Sequence, residues 1–133
     1  MKRVLAVLGL FLGVTVLAAL PSISEESGPS YAADVEPVVL EKCAGCHTVE
    51  KPKNPLALDK GTGYGHLVER PSKLEPDKVL VVPGDPDASY LWQKLMHTTK
   101  EGKGMPRTMF GAKKLPEEEL ELFRRWIETG ARP

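Results

Sequence analysis

The stretch Cys43-Ala44-Gly45-Cys46-His47 contains both cysteines of the chain, separated by two small residues and followed at once by a histidine. On a single helical turn, this spacing brings the two thiols to the same side of the backbone. The small side chains between them let the backbone lie close against a flat ligand. The imidazole of the next residue can then reach a metal at the centre of that ligand. The pentapeptide therefore predicts one group held by two sulfurs and one nitrogen.

A C-x-x-C-H pattern is typical of covalent haem attachment. The two thiols add across the two vinyl groups of one haem, and the histidine supplies the proximal nitrogen to the iron. We therefore predict one covalently attached haem c, with Cys43 and Cys46 as the thioether anchors and His47 as an axial iron ligand.

Two other uses of a cysteine pair are less favoured. A thioredoxin-like dithiol needs a strand–helix–strand context, and no alternating run of β-branched residues precedes Cys43. A structural zinc ion needs four ligands, usually from two spaced pairs. Outside the pentapeptide only His66 and His97 remain as candidates, in unrelated settings.

The first residues have the layout of an export signal. Two basic residues precede an uncharged apolar run, Val4 to Leu20, and a polar stretch rich in small residues follows. We predict a signal over residues 1–32 with cleavage after Ala32. A cut after Ala19 and an uncleaved membrane anchor are the alternatives, because the apolar run of 17 residues is near the lower limit for spanning a bilayer. The protein is expected to be periplasmic or otherwise extracytoplasmic, either soluble or tethered by its N-terminus.

Residues 33–133 are predicted to form one domain with one modest core. Export agrees with the pentapeptide, because haem is attached outside the cytoplasmic membrane. Basic and acidic residues number 18 each, so the net charge is zero and nucleic acid is not an expected partner.

Capping residues and apolar spacing predict four helical stretches. The first runs from Asp34, as the N-cap, to Lys42 and leads into the pentapeptide. A short turn is expected over residues 64–69 and a helix from Asp85 to about His97. The last helix starts at Pro116 and stops at Gly130. Trp92 and Trp126 are expected to fill the core.

The second axial position of the iron has several candidates. They are Met96, Met105, Met109, His66 and His97. Met96 falls inside an amphipathic helix and is expected in the core. Met105 lies on a loop that Pro106 stiffens, so it can present a thioether at a fixed point. We predict Met105 as the distal ligand and keep Met109 as the alternative; the two histidines are expected to face solvent or to be hydrogen-bonded.

The order of these motifs resembles that of small monohaem c-type cytochromes. The segments C-A-G-C-H, V-V-P-G-D-P-D-A-S-Y-L-W-Q-K-L, G-M-P and L-P-E-E-E-L are similar to the planctomycete-type subgroup of bacterial cytochrome c domains, over residues 35–131. The resemblance implies an all-α fold in which the first and last helices cross beside one haem. It also implies that the methionine of the M-P pair, here Met105, is the distal ligand. The chain departs from the family at Leu115-Pro116, where a serine-like cap is usual.

The expected function is single-electron transfer by Fe(III)/Fe(II) cycling with His/Met ligation, and not enzyme catalysis. The alternatives are a haem enzyme or gas-binding sensor with an open or labile sixth position, and an electron-wiring subunit of a larger membrane complex. A basic rim is expected near the haem, because residues 94–114 hold six basic residues against one acid, Glu101. Such a rim would attract acidic redox partners. The six are Lys94, Lys100, Lys103, Arg107, Lys113 and Lys114.

Overall fold

The structure, a computed structural model, describes residues 28–50, 56–100 and 103–133. A π-helical segment, Tyr31–Val35, runs directly into the first α-helix. The α-helices are α1 Glu36–Lys42, α2 Gly63–Leu67, α3 Tyr90–Met96 and α4 Glu117–Glu128, and the strands are β1 Arg107–Thr108 and β2 Gly111–Ala112. Within the described part of the chain, no helix is long and apolar enough to cross a membrane.

The first helical stretch begins earlier than the sequence predicts. Ser30 is its N-cap, because the Ser30 hydroxyl accepts a hydrogen bond from the backbone N–H of Ala33 at 3.3 Å. Asp34 lies inside the helical stretch, and its carboxylate accepts from the Ser30 N–H at 2.7 Å. The prediction of Asp34 as the N-cap was wrong, since serine and aspartate compete for this role and Ser30 takes the outer position.

Helix α4 carries one side of the core. It begins after Pro116, and the chain turns away at Gly130. The φ of Gly130 is 98°, a value that glycine adopts readily and other residues do not. The stop agrees with the sequence prediction, while the first helical residue is Glu117, one later than the predicted Pro116. Its buried face consists of Leu120, Phe123, Trp126 and Ile127. Trp126 is fully buried, and Trp92 is partly buried at the edge of the core.

Helix α3 starts later than predicted. Asp85 caps a turn rather than a helix, with its carboxylate accepting from the Ala88 N–H at 2.9 Å. The Ser89 hydroxyl then ties this turn together, because it donates to the Asp85 carbonyl at 2.7 Å and accepts from the Val82 N–H at 2.9 Å. Regular helix begins only at Tyr90 and ends, as expected, just before His97.

A small hairpin follows the predicted distal ligand. Strands β1 and β2 pair antiparallel, with Arg107 opposite Ala112 and Thr108 opposite Gly111. The all-α expectation did not include this element, which is too short for any periodicity of apolar residues to show. The turn places Met109 and Phe110 in solvent.

Residues upstream of the predicted domain boundary belong to the folded core. Tyr31 is 3% exposed, and its ring lies 5.7 Å from that of Tyr64 and 5.6 Å from that of Trp126. The Tyr31 N–H donates to the Arg132 carbonyl at 2.9 Å, and the Arg132 guanidinium donates to the Gly28 carbonyl. A cut after Ala32 would remove these contacts, so the packed domain extends upstream of residue 33. The apolar run and Ala19 lie outside the described residues.

We expect Tyr31→Ala to lower the free energy of unfolding by about 3 kcal/mol, as deletion of a buried aromatic ring does. Tyr31→Phe is the matched control, because the Tyr31 hydroxyl is buried without a hydrogen-bond partner and its removal costs little. Denaturant titration of both proteins measures the difference. Equal stability of the two would contradict the packing of the Tyr31 ring in the core.

Candidate haem-binding site

A cavity of about 810 Å³ brings together most of the predicted site residues. This volume lies in the range of roughly 300–1,000 Å³ that cofactor and ligand sites occupy. The pentapeptide contributes Cys43, Cys46 and His47, and the segment before and through the hairpin contributes Met105 and Met109. Apolar side chains complete much of the wall, namely Leu56, Leu58, Leu74, Leu80, Leu91 and Leu95.

The pentapeptide forms one tight turn at the end of α1. The Cys43 N–H still bonds to the Val39 carbonyl at 2.9 Å, as in a helix. The N–H groups of Cys46 and His47 then both bond to the Cys43 carbonyl, each at 3.1 Å. The buried side chain of Val39 fixes α1 to the core, so the turn and its three functional side chains are held on a rigid base.

A backbone carbonyl orients the ring of His47. The side chain is buried, and Nδ1 lies 3.2 Å from the Leu56 carbonyl oxygen. A carbonyl oxygen can only accept, so Nδ1 is the donor of this hydrogen bond. Metal-ligating histidines are oriented by this kind of outer hydrogen bond.

The two thiols have different surroundings. Cys43 is half-buried and Cys46 is exposed. Burial, with smaller effects of the negative charges of Glu119 and Cys46, raises the pKa of the Cys43 thiol to about 11. Cys43 therefore carries its proton at neutral pH. Addition of a thiol across a vinyl group bonds the sulfur to one carbon and a hydrogen to the other.

The methionine candidates also differ in placement. Met105 is half-buried, and its N–H donates to the Lys94 carbonyl at the end of α3 at 2.9 Å. Met109 also lines the cavity, but it is 94% exposed in the hairpin turn. Met96 packs against the core, as expected. Of the two methionines that line the cavity, Met105 is thus the more buried one, and its backbone is bonded to α3.

The two histidines outside the pentapeptide are both hydrogen-bonded. His66 is exposed at the cavity edge, with Nδ1 2.7 Å from the Ala57 carbonyl oxygen. His97 is absent from the cavity wall and bonds through Nε2 to the Met105 carbonyl oxygen at 3.1 Å.

The cavity is electropositive. Its cationic wall residues are Lys42, Arg70, Lys73, Lys94 and Arg107, and no aspartate or glutamate is among the described residues that line it. Lys94 is only 7% exposed, and its ammonium lies 4.8 Å from the centre of the Tyr90 ring. The sequence had placed Lys94 in an outer basic rim; its burial places it in the cavity instead. Such a wall suits a flat apolar ligand that carries carboxylates.

Arg70 and Lys73 were not among the residues predicted for the site. They lie in an extended segment that isolated backbone bridges hold beside residues 79–82, through Pro71 with Val79 and Val68 with Val81. Nothing in the sequence separates these two cations from other surface basic residues, because only the fold turns the segment toward the cavity.

Within the described ranges, no three His, Cys, Asp or Glu side chains form a group that could hold a metal ion. No protein-family model, no curated protein and no solved structure matches this chain.

Proposed function

We propose that the protein is an extracytoplasmic monohaem c-type cytochrome, which carries single electrons between redox partners and is not an enzyme. One observation carries the proposal. The C-x-x-C-H turn and Met105 line the same cavity, although 58 positions separate His47 from Met105 in the sequence.

The residues of the cavity fit each part of a haem. Cys43 and Cys46 would hold its vinyl carbons, and the imidazole of His47 would ligate the iron. The leucine side chains suit the porphyrin faces, and the cations of the wall suit its two propionates. Arg70 and Lys73 extend from a backbone segment distinct from the pentapeptide.

A bound haem supplies one-electron exchange between ferric and ferrous iron. The chain sets the energetics of that exchange. The soft thioether of Met105 favours ferrous iron, and the apolar wall disfavours the additional positive charge of ferric iron; both raise the reduction potential. The Leu56 carbonyl holds the His47 ring in one orientation. A His47 ring held in this way would change its position little when the iron changes oxidation state.

The redox partner is proposed to be acidic. Exposed basic residues surround the Met105 segment, namely Lys100, Lys103, Arg107, Lys113 and Lys114. Glu101, the acid predicted among them, lies outside the described residues. Exposed positive charges that flank Met105 in the chain would attract acidic partners to this segment.

We expect the rate of electron transfer to an acidic redox protein to fall as ionic strength rises, because salt screens exposed charges beyond about 8–10 Å. The double variant Lys113→Gln/Lys114→Gln should flatten that dependence in stopped-flow measurements. Lys60→Gln, an exposed lysine outside this segment, is the matched control and should keep the wild-type slope. A wild-type rate that is insensitive to salt would contradict steering.

The cofactor proposal is tested by the mass of the exported protein, produced in a host that attaches haem. The wild-type chain is expected to carry one haem, and digestion should place it on the peptide containing residues 43–47. Cys43→Ala/Cys46→Ala is expected to lose the covalent haem. A wild-type mass that equals the bare polypeptide would overturn the proposal.

A further inference from the structure

We propose that His97 is a positioning residue that holds the distal ligand Met105 in place through its ring. The inference rests on the proposed role of Met105 as an iron ligand. It comes from three contacts between the end of α3 and the segment that carries Met105.

The backbone of His97 has a conformation that histidine rarely adopts. His97 is the C-cap of α3, with φ 60° and ψ 31°, in the left-handed region. Its N–H bonds to carbonyls of the last helical turn. Glycine, or sometimes asparagine, is usual at such a helix end, because a larger side chain costs free energy there. The free-energy cost of the left-handed backbone at His97 therefore has to be offset by the contacts that its ring makes.

The ring contacts the Met105 segment in two ways. Nε2 lies 3.1 Å from the Met105 carbonyl oxygen, and since the carbonyl can only accept, Nε2 is the donor. The ring also lies against Gly104. A Cβ built at Gly104 would be 2.3 Å from His97 Cδ2, so only glycine allows this close approach.

These contacts anchor Met105 at both of its backbone polar groups. Its N–H is bonded to the Lys94 carbonyl, and its carbonyl is bonded to the ring of His97. A methionine side chain has three rotatable bonds, so it cannot fix the sulfur position unless its backbone is held. His97 thereby stabilises the six-coordinate state of the iron without touching the iron itself.

The test uses the holoprotein and the variant His97→Gly. Glycine keeps the left-handed backbone and the helix end, and it removes the ring. We expect the weak red absorption band of ferric iron bonded to methionine to lose intensity. We also expect cyanide, which must displace the methionine, to bind the ferric protein about 2- to 10-fold faster, as loss of one hydrogen bond implies.

Three further variants separate positioning from a purely structural role. Gly104→Ala should reproduce the effect with His97 still present, because the added methyl group pushes the ring away. His97→Gln should restore part of the wild-type behaviour, since its amide donor has a similar reach. Thr98→Ala is the matched control: its hydroxyl bonds to Gln93 at the same helix end and not to Met105, so the band should stay unchanged.

The outcomes distinguish this inference from the proposed function. A wild-type protein without the red band would refute methionine ligation itself. If the wild type has the band, and His97→Gly and Gly104→Ala keep both the band and the wild-type cyanide rate, the inference is overturned. A lower melting temperature with an unchanged band would likewise overturn it, because the ring would then stabilise the fold without positioning the ligand.

Discussion

Met105→Ala is expected to open the sixth coordination position of the iron. The red band of the ferric protein should disappear, and the ferrous protein should bind carbon monoxide. The reduction potential should fall by on the order of 0.1 V, part of the roughly 0.8 V over which axial ligands set haem potentials. Spectra of the oxidised and reduced protein and a redox titration measure these changes.

Met109→Ala is the matched control, because Met109 lines the same cavity but is 94% exposed. Its spectrum and potential should equal those of the wild type. The reverse pattern, with the band lost in Met109→Ala and kept in Met105→Ala, would make Met109 the ligand. If both variants keep the band, neither methionine is required for it.

Trp126→Ala is expected to reduce the free energy of unfolding by about 3–5 kcal/mol, the cost of deleting a large buried aromatic side chain. Trp126 is fully buried, its ring contacts Tyr31, and its Nε1 donates to the Arg132 carbonyl at 2.9 Å. The total free energy of unfolding of a small domain is only about 5–15 kcal/mol. The variant should therefore lose a large part of its stability and also loosen the Gly28–Tyr31 segment from the C-terminus.

Trp92→Ala is the comparison, since Trp92 is only partly buried at the edge of the core. Trp92→Ala should lower the free energy of unfolding clearly less than Trp126→Ala does in the same denaturant titration. Equal losses for the two tryptophans would contradict the packing that places Trp126 at the centre of the core.

The parts of the site that are local in sequence were predictable from the sequence. Cys43, Cys46 and His47 lie within five consecutive residues, and in the structure these residues form one turn. The preference for Met105 followed from its place before a proline. The two hydrogen bonds of the Met105 backbone could not be predicted, because they depend on where α3 ends and on how the chain returns to that end.

Long-range packing explains what the sequence did not reveal. Tyr31 lies in a stretch of polar and small residues that looks like the end of a signal segment, and only its contact with Trp126 identifies it as core. Arg70 and Lys73 become site residues because backbone bridges orient their segment. Lys94 shares the helical spacing of the buried residues Tyr90 and Leu95, but its charge led to its prediction in the basic rim.

The most direct test of the central claim is the absorption spectrum of the purified exported protein, oxidised and then reduced, with and without carbon monoxide. His47 and Met105 ligation predicts sharp low-spin ferrous bands, a weak red ferric band and no response to carbon monoxide. A high-spin spectrum that shifts with carbon monoxide would contradict electron transfer with His/Met ligation and would favour an open-site sensor or enzyme. A protein without covalent haem would contradict the entire account.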